Sequence, residues 1–299
     1  MSEKTGFIAL TGRPNVGKST LLNFLVESTI AITSPKPQTT RHVIRGVTTR
    51  GNAQFIFFDT PGMHRPKDLL GGSMMKGLNA AISDADVVVL LIEASFKPVI
   101  ADAERLLIQK IKSEEKPAIL AINKIDVSKK DAILPLIDAY LNEGCFSAFV
   151  PVSALTGDGV NLLLNEIEAL LPEQPFIYGE EDYTDQTEKG LAAELIRREL
   201  VFQLRDELPY GMAVLITRFQ ENETDSGRRR ILIEADIVCD RENHKGMVVG
   251  KKGSRIKLVG QTARGHLETM LDADVTLLLQ VRVKEKWRDS AAKLDELGF

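Results

Sequence analysis

Gly12-Arg-Pro-Asn-Val-Gly-Lys-Ser19 is the stretch on which the reading of this chain turns. A glycine, four free positions and then Gly-Lys-Ser or Gly-Lys-Thr is a pattern that holds phosphates when it joins a strand to a helix. The flanks supply that setting. Phe7-Ile-Ala-Leu10 leads in as an apolar run, and Thr20-Leu-Leu-Asn-Phe-Leu25 leads out with helical spacing. Gly12 and Gly17 let the backbone turn tightly, so that successive N–H groups converge on one point. The helix N-terminus adds partial positive charge there. Arg13, Pro14, Asn15 and Val16 fill the loop and Thr20 follows it. Lys18 is expected on the β- and γ-phosphates of a nucleotide, and the Ser19 hydroxyl on Mg²⁺.

Downstream residues extend the same site. Ser28 to Arg41 lacks steady periodicity and contains Ser34-Pro-Lys-Pro-Gln-Thr-Thr-Arg41, which predicts a long loop. A threonine here is placed to complete the Mg²⁺ shell when the γ-phosphate is present, and Thr40 is favoured over Thr39. Two β-rich runs, 42–49 and 54–58, flank Arg50-Gly-Asn-Ala53 as a hairpin. The second ends in Asp59-Thr-Pro-Gly62, where Asp59 is expected to hold Mg²⁺ and the Gly62 N–H to sense the γ-phosphate. The buried strand 118–122 delivers Asn123-Lys-Ile-Asp126, which selects the base. A carboxylate at Asp126 accepts from both the ring N–H and the amine of guanine, a donor pair that adenine lacks. Asn123 is expected to fix the loop and touch the base edge, and Lys124 to cover the base. The turn Ser153-Ala-Leu155 is expected to present backbone N–H groups to the guanine carbonyl.

Runs such as Val87-Val-Val-Leu-Leu-Ile92 alternate with helical segments at 101–112 and 160–171, which predicts a mostly parallel α/β sheet covered on both faces. Every motif follows a strand, at the sheet edge where open α/β folds bind ligands.

The 299 residues suit roughly two domains, and the net charge of −4 argues against a protein coated in nucleic acid while leaving a local patch open. The two cysteines, Cys145 and Cys239, have no metal-type spacing. Met1-Ser-Glu-Lys-Thr5 lacks the apolar core of a signal peptide, and no run is long enough to span a bilayer. The expected location is the cytoplasm, with peripheral contact at the inner face of a membrane left open.

Residues 172–185 are polar, acidic and Pro/Gly-containing, which predicts an interdomain connection. An amphipathic helix is expected from Glu188 to about Glu207, with Leu191, Leu195, Leu200 and Leu204 facing a core. Strands follow at 212–217 and 230–238, joined by the polar loop 221–227. Then comes Gly250-Lys-Lys-Gly253, with Ser254 expected to cap the next helix, and a final strand over 274–283. Trp287 begins a short C-terminal segment. Lys245, Lys251, Lys252, Arg255, Lys257 and Arg264 make a local positive patch, the electrostatic footprint of phosphate binding.

The first-half motifs resemble those of translation-factor-related GTPases, and the Gly12–Ser19 and Asp59–Gly62 forms resemble the Era family. The order α-β-β-α-α-β with Gly-x-x-Gly between helices resembles a type II KH domain, whose loop clamps the backbone of single-stranded RNA. The combined resemblance covers nearly the whole chain. It implies a P-loop GTPase domain over 1–174, a linker over 175–187 and an α+β KH domain over 188–299.

It also implies a cytoplasmic, monomeric switch that hydrolyses GTP to GDP, binds the 3′ end of small-subunit ribosomal RNA and assists assembly of the 30S subunit. RNA contacts are expected at Gly250, Lys251, Lys252, Gly253, Arg255, Ile256 and Lys257, with Ile256 and Val249 walling the groove. Lys18, Asn15 and Thr40 form the expected catalytic set. Met63 stands where Ras-like enzymes carry a water-orienting glutamine, so unaided hydrolysis is expected to be slow. In related GTPases an asparagine at the position of Asn15 works with a potassium ion, so K⁺ stimulation is a further expectation. GTP is expected to order residues 35–41 and to free the RNA groove through a domain rotation. The rival readings are an ATP-driven enzyme, which Asn123 and Asp126 oppose, and a regulatory GTPase whose second domain binds a protein or membrane.

Overall fold

The computed structural model describes residues 2–34, 36, 39–95, 99–179, 181–204, 208–223 and 227–299. Pro35, Pro37 and Gln38 of the expected nucleotide-responsive loop lie outside these, as do Glu180 of the expected linker, the helix end at 205–207 and loop positions 224–226. The chain divides into two compact units, residues 1–66 with 71–185, and residues 67–70 with 186–299.

The first unit holds strands β1 (Lys4–Gly12), β2 (Ile44–Arg50), β3 (Ala53–Asp59), β4 (Val87–Glu93), β5 (Ala118–Asn123) and β6 (Phe146–Pro151). They form one sheet in the order β2-β3-β1-β4-β5-β6, parallel except for β2, which pairs antiparallel with β3. Helices α1 (Lys18–Leu25), α2 (Leu69–Asp84), α3 (Asp102–Ser113), α4 (Ile133–Leu141) and α5 (Val160–Leu170) belong to the same part of the chain. A parallel sheet covered on both faces needs near-continuous apolar strands, and β4 and β5 comply: Val87–Leu91 and Ala118–Ile122 are fully buried.

Sequence reading missed α2 and α4. Glycines at 71, 72 and 77 dilute the helical signal of α2. Pro135 interrupts that of α4, although in the first turn a proline removes no intrahelical hydrogen bond.

Residues 177–179 and 181–185 lie strapped along the β2–β3 hairpin. Gln54 Oε1 accepts from the backbone N–H groups of Ile177 and Tyr178, at 2.9 Å each. The Val47 N–H donates to Tyr183 O at 2.9 Å, and Arg45 pairs with Asp185 at 2.6 Å. Most of the stretch expected to connect two domains is thus fastened to the first of them. Its polar composition reports a strap that pairs with an edge strand, whose outer N–H groups need acceptors.

The second unit runs α6 (Glu188–Gln203), β7 (Met212–Glu223), β8 (Arg229–Cys239), α7 (Glu242–Val249), α8 (Ser254–Leu271), β9 (Asp274–Val283) and α9 (Ala291–Glu296). Its sheet has the order β7-β8-β9, with β8 antiparallel to β7 and parallel to β9. Ile196 of α6 and Ala263 and Leu267 of α8 pack on Ile231 and Ile233 of β8, all fully buried.

Two details differ from the sequence reading. Ser254 is the first helical residue of α8 and not its cap. That position belongs to Gly253 in the left-handed region, with no side-chain cap bond. The tail after β9 is part of the core, because Trp287 is fully buried and its Nε1–H donates to Gly211 O at 3.1 Å.

Candidate functional site

Gly17, at φ 103°, ends the phosphate loop and begins α1 without any side-chain cap. The first amides of α1 therefore have no intrahelical acceptor and stay open to an anion. Gly17 is also a site of close approach, since a Cβ there would lie 2.2 Å from Asn123 Nδ2. Lys18 is buried, and its Nζ donates to Arg13 O at 3.1 Å and Gly12 O at 3.4 Å. Burial pushes its ammonium down to about 8, opposed by attraction to Asp59. Pro14, Asn15, Gly17, Lys18, Ser19, Thr20, Thr40, Gly62 and Lys124 share a cleft of about 560 Å³ with Ile32, Thr33, Ser34 and Thr39.

Asp59 has no exposed surface. Its Oδ2 accepts from Ser19 Oγ at 2.6 Å and Thr40 Oγ1 at 3.0 Å, and the two hydroxyls are 2.9 Å apart. Burial raises the Asp59 carboxyl, while Lys18 and the two hydroxyls pull it down. Its Oδ1 is buried with no hydrogen-bond partner. Two hydroxyls and a carboxylate, with one oxygen orphaned, form an all-oxygen set of the kind a small hard cation takes, so the residues fit Mg²⁺. Thr40 joins this cluster. Thr39 lines the cleft.

The base side is built by internal bonds. Asn123 Nδ2 donates to Val16 O at 2.7 Å, and its Oδ1 accepts from the Ala154 N–H at 2.9 Å. Asn123 thus laces the phosphate loop to the 153–155 turn, and its amide keeps a second N–H and a second lone pair. In the turn the Ser153 N–H donates to Asp158 O and the Ala154 N–H to Asn123 Oδ1, and Leu155 is exposed. Asp126 is exposed and steadied by the Ser153 hydroxyl at 2.8 Å. Lys124 takes φ 66° and pairs with Glu93 at 3.0 Å.

Two further residues, Glu104 and Tyr140, support the loop and were passed over in the sequence reading. Glu104 on α3, buried, pairs with Arg13 Nε at 2.6 Å and accepts from Tyr140 OH at 2.6 Å. Its carboxylate also caps the Ala101 N–H at 2.8 Å. Arg13 is thereby held from outside the motif while its carbonyl holds Lys18. A glutamate three residues after the N-cap was the available signal, since such a side chain reaches back to the N-cap N–H. Met63 packs its side chain against the hydrophobic core, which agrees with its offering no group to a water molecule. Asn15, at φ 66°, is exposed on the cleft wall.

In the second unit, Gly250 and Gly253 take φ 74° and 76°, and Lys252 between them takes φ 51°. A Cβ on Gly250 would lie 2.7 Å from Arg255 Cβ. These conformations turn the chain sharply and leave Lys251 and Lys252 exposed. Beside the loop, Ile256, Lys257, Gly260, Gln261, Arg264, Leu277 and Leu279 line a groove of about 310 Å³. Ile256 walls this groove as expected, and Val249 does not line it. Arg255 is exposed and donates one of its five N–H groups to Met247 O, which ties the turn to the end of α7.

Residues 7–124 match the family described as 50S ribosome-binding GTPase, and residues 207–288 match the KH domain. GTPase Era of Ruminiclostridium cellulolyticum is 43% identical over 299 residues, covering 100% of this chain and 98% of that one. Two crystal structures superpose over 99% of both chains. One is Era with MgGDPNP and nucleotides 1506–1542 of 16S ribosomal RNA, at 38% identity and a TM-score of 0.93. The other is a point variant of Aquifex aeolicus Era bound to GDP·AlF4⁻, at 37% identity and a TM-score of 0.92. Similarity of this order over the whole length shows that the chain belongs to the GTPase Era family.

Proposed function

We propose that the protein is a GTP-hydrolysing switch that binds single-stranded RNA, with the 3′ end of small-subunit ribosomal RNA as its target and assembly of that subunit as its task. The observation that carries the hydrolytic half is the buried Asp59, shared by Ser19 and Thr40 beside Lys18. Lys18 and the uncapped amides of α1 would bind the β- and γ-phosphates, and the Gly62 N–H would meet the γ-phosphate. A magnesium ion held by Ser19 and Thr40, with Asp59 behind them, would neutralise charge on the phosphate oxygens.

With Met63 a thioether packed against the core, no side chain at that position orders a water, and the intrinsic rate is slow. Asn15 offers a neutral oxygen on the cleft wall, the type of ligand that suits potassium, so turnover is faster in K⁺ than in Na⁺. Equal turnover in the two salts would remove potassium from the mechanism.

Guanine selection rests on Asp126. The expected result is binding of GTP over ATP by the native protein. Asp126→Asn should weaken GTP about 10- to 100-fold and gain xanthosine triphosphate, whose ring carries a carbonyl where guanine has the amine. Unchanged GTP affinity in that variant, measured by titration with a fluorescent analogue, would overturn the assignment.

The RNA half rests on the Gly250–Gly253 turn and the groove lined by Ile256 and Lys257. Nucleotide state is coupled to RNA through residues 35–41 and a domain rotation. Equal RNA affinity with GDP and with a non-hydrolysable GTP analogue would sever that coupling. Among the described residues no helix is long and apolar enough to cross a membrane. The proposed location is cytoplasmic and the proposed state monomeric.

A further inference from the structure

Two residues beyond Gly62 stands His64, which none of the motifs absorbs. Its Nδ1 lies 2.8 Å from Gly62 O. A carbonyl only accepts, so Nδ1 carries the proton, and in the neutral imidazole Nε2 is then the acceptor. That Nε2 is buried and has no hydrogen-bond partner among the described residues, an unfavourable arrangement that the Nδ1 contact and local packing must offset. The other end of the same peptide group is also held, because the Met63 N–H donates to Gly12 O at 3.0 Å. The Gly62–Met63 peptide is therefore pinned twice, its carbonyl by the imidazole and its N–H by the phosphate loop. No slack remains around Gly62, where a Cβ would lie 2.6 Å from Pro14 N.

We infer that His64 is a positioning residue that sets Gly62 against the phosphate loop and thereby governs the preference for GTP over GDP. This rests on the nucleotide reading above. Gly62 lines the cleft and His64 does not, so the imidazole acts through Gly62. GDP and GTP share every group except the γ-phosphate. A residue that preorganises the Gly62 N–H for that group changes GTP affinity and leaves GDP affinity alone.

The experiment measures affinities for GDP and for a non-hydrolysable GTP analogue, in the presence of Mg²⁺, for the full chain and three variants. His64→Ala should lose about three- to tenfold in affinity for the analogue, the effect of one hydrogen bond, with GDP unchanged. His64→Asn places an amide donor where Nδ1 stood and should restore the native ratio. His64→Gln places its amide where Nε2 stood and should not. A native analogue-to-GDP ratio in His64→Ala would overturn the inference, as would an equal loss for both nucleotides. Rescue by Gln in place of Asn would overturn it in favour of a direct role for Nε2. If the native protein bound neither nucleotide, the nucleotide reading itself would fail, a result distinct from all of these.

Discussion

The nucleotide cleft and the Gly250–Gly253 turn both address phosphate, and they are built on opposite principles. In the cleft the working groups are withdrawn from water: Lys18, Ser19, Thr40, Asp59 and Asn123 are all buried. Each is tied to another part of the fold, and the Asn123–Val16 bond spans 107 positions of sequence. In the turn the lysines stand exposed, and the fold supplies only backbone shape. Buried groups act at low effective dielectric, where one charge and a few amides suffice and small displacements are costly. Exposed lysines act by number and salt-dependent attraction, and they tolerate movement. One site recognises a small ligand by fit, and the other holds a polymer by charge.

That contrast breaks most severely if the cleft proves tolerant of a single methyl group. Gly17→Ala would force a Cβ to 2.2 Å from Asn123 Nδ2 at a φ of 103°. It should weaken GTP and GDP about 100-fold or more while RNA affinity in the nucleotide-free protein is retained. Calorimetric titration that found a loss under tenfold would show that the loop can relax.

A middle-sized effect sharpens the other side. Lys251→Glu with Lys252→Glu should reduce affinity for a single-stranded RNA about tenfold or more at low salt. It should also flatten the dependence of log K on log salt by about 0.7 for each RNA phosphate that is no longer neutralised. Guanine nucleotide affinity should not change. An unaltered salt slope would mean that the lysines do not meet phosphate.

The smallest effect tests how far the buried network reaches. Tyr140→Phe removes one of the hydrogen bonds to Glu104 and should cost about 1–2 kcal/mol in urea unfolding of the first unit. The capping bond to Ala101 and the pair with Arg13 remain, so GTP affinity should stay within about twofold. A large loss of GTP affinity would place Tyr140 nearer the functional core of the cleft than the geometry does.

Much of the site could be read from the sequence because phosphate loops are local objects. Eight consecutive residues must supply the glycines, the lysine and the serine, so their spacing survives in the string. The base tetrad and Asp59-Thr-Pro-Gly62 are legible for the same reason. Supports were not. Glu104 meets Tyr140 across 36 positions and Arg13 from another element, and its local spacing announces only the bond to Ala101, not these two partners. Arg255 is a second tie of this kind, since its side chain, beside the C-terminus of α7, finds the Met247 carbonyl.

By itself the sequence determined the class of fold, the two-part organisation and the guanine-nucleotide motifs, since each follows from short-range spacing and periodicity. Only the tertiary structure decided which internal partners these polar groups take. It tied the Asn123 amide and the Ser153 and Ala154 N–H groups to neighbours inside the fold, fastened residues 177–179 and 181–185 to the first unit, and pinned Gly62 through His64. The physical reason is that a hydrogen bond is a matter of distance in space, and a polar group once buried must take whichever partner the packed chain brings to it.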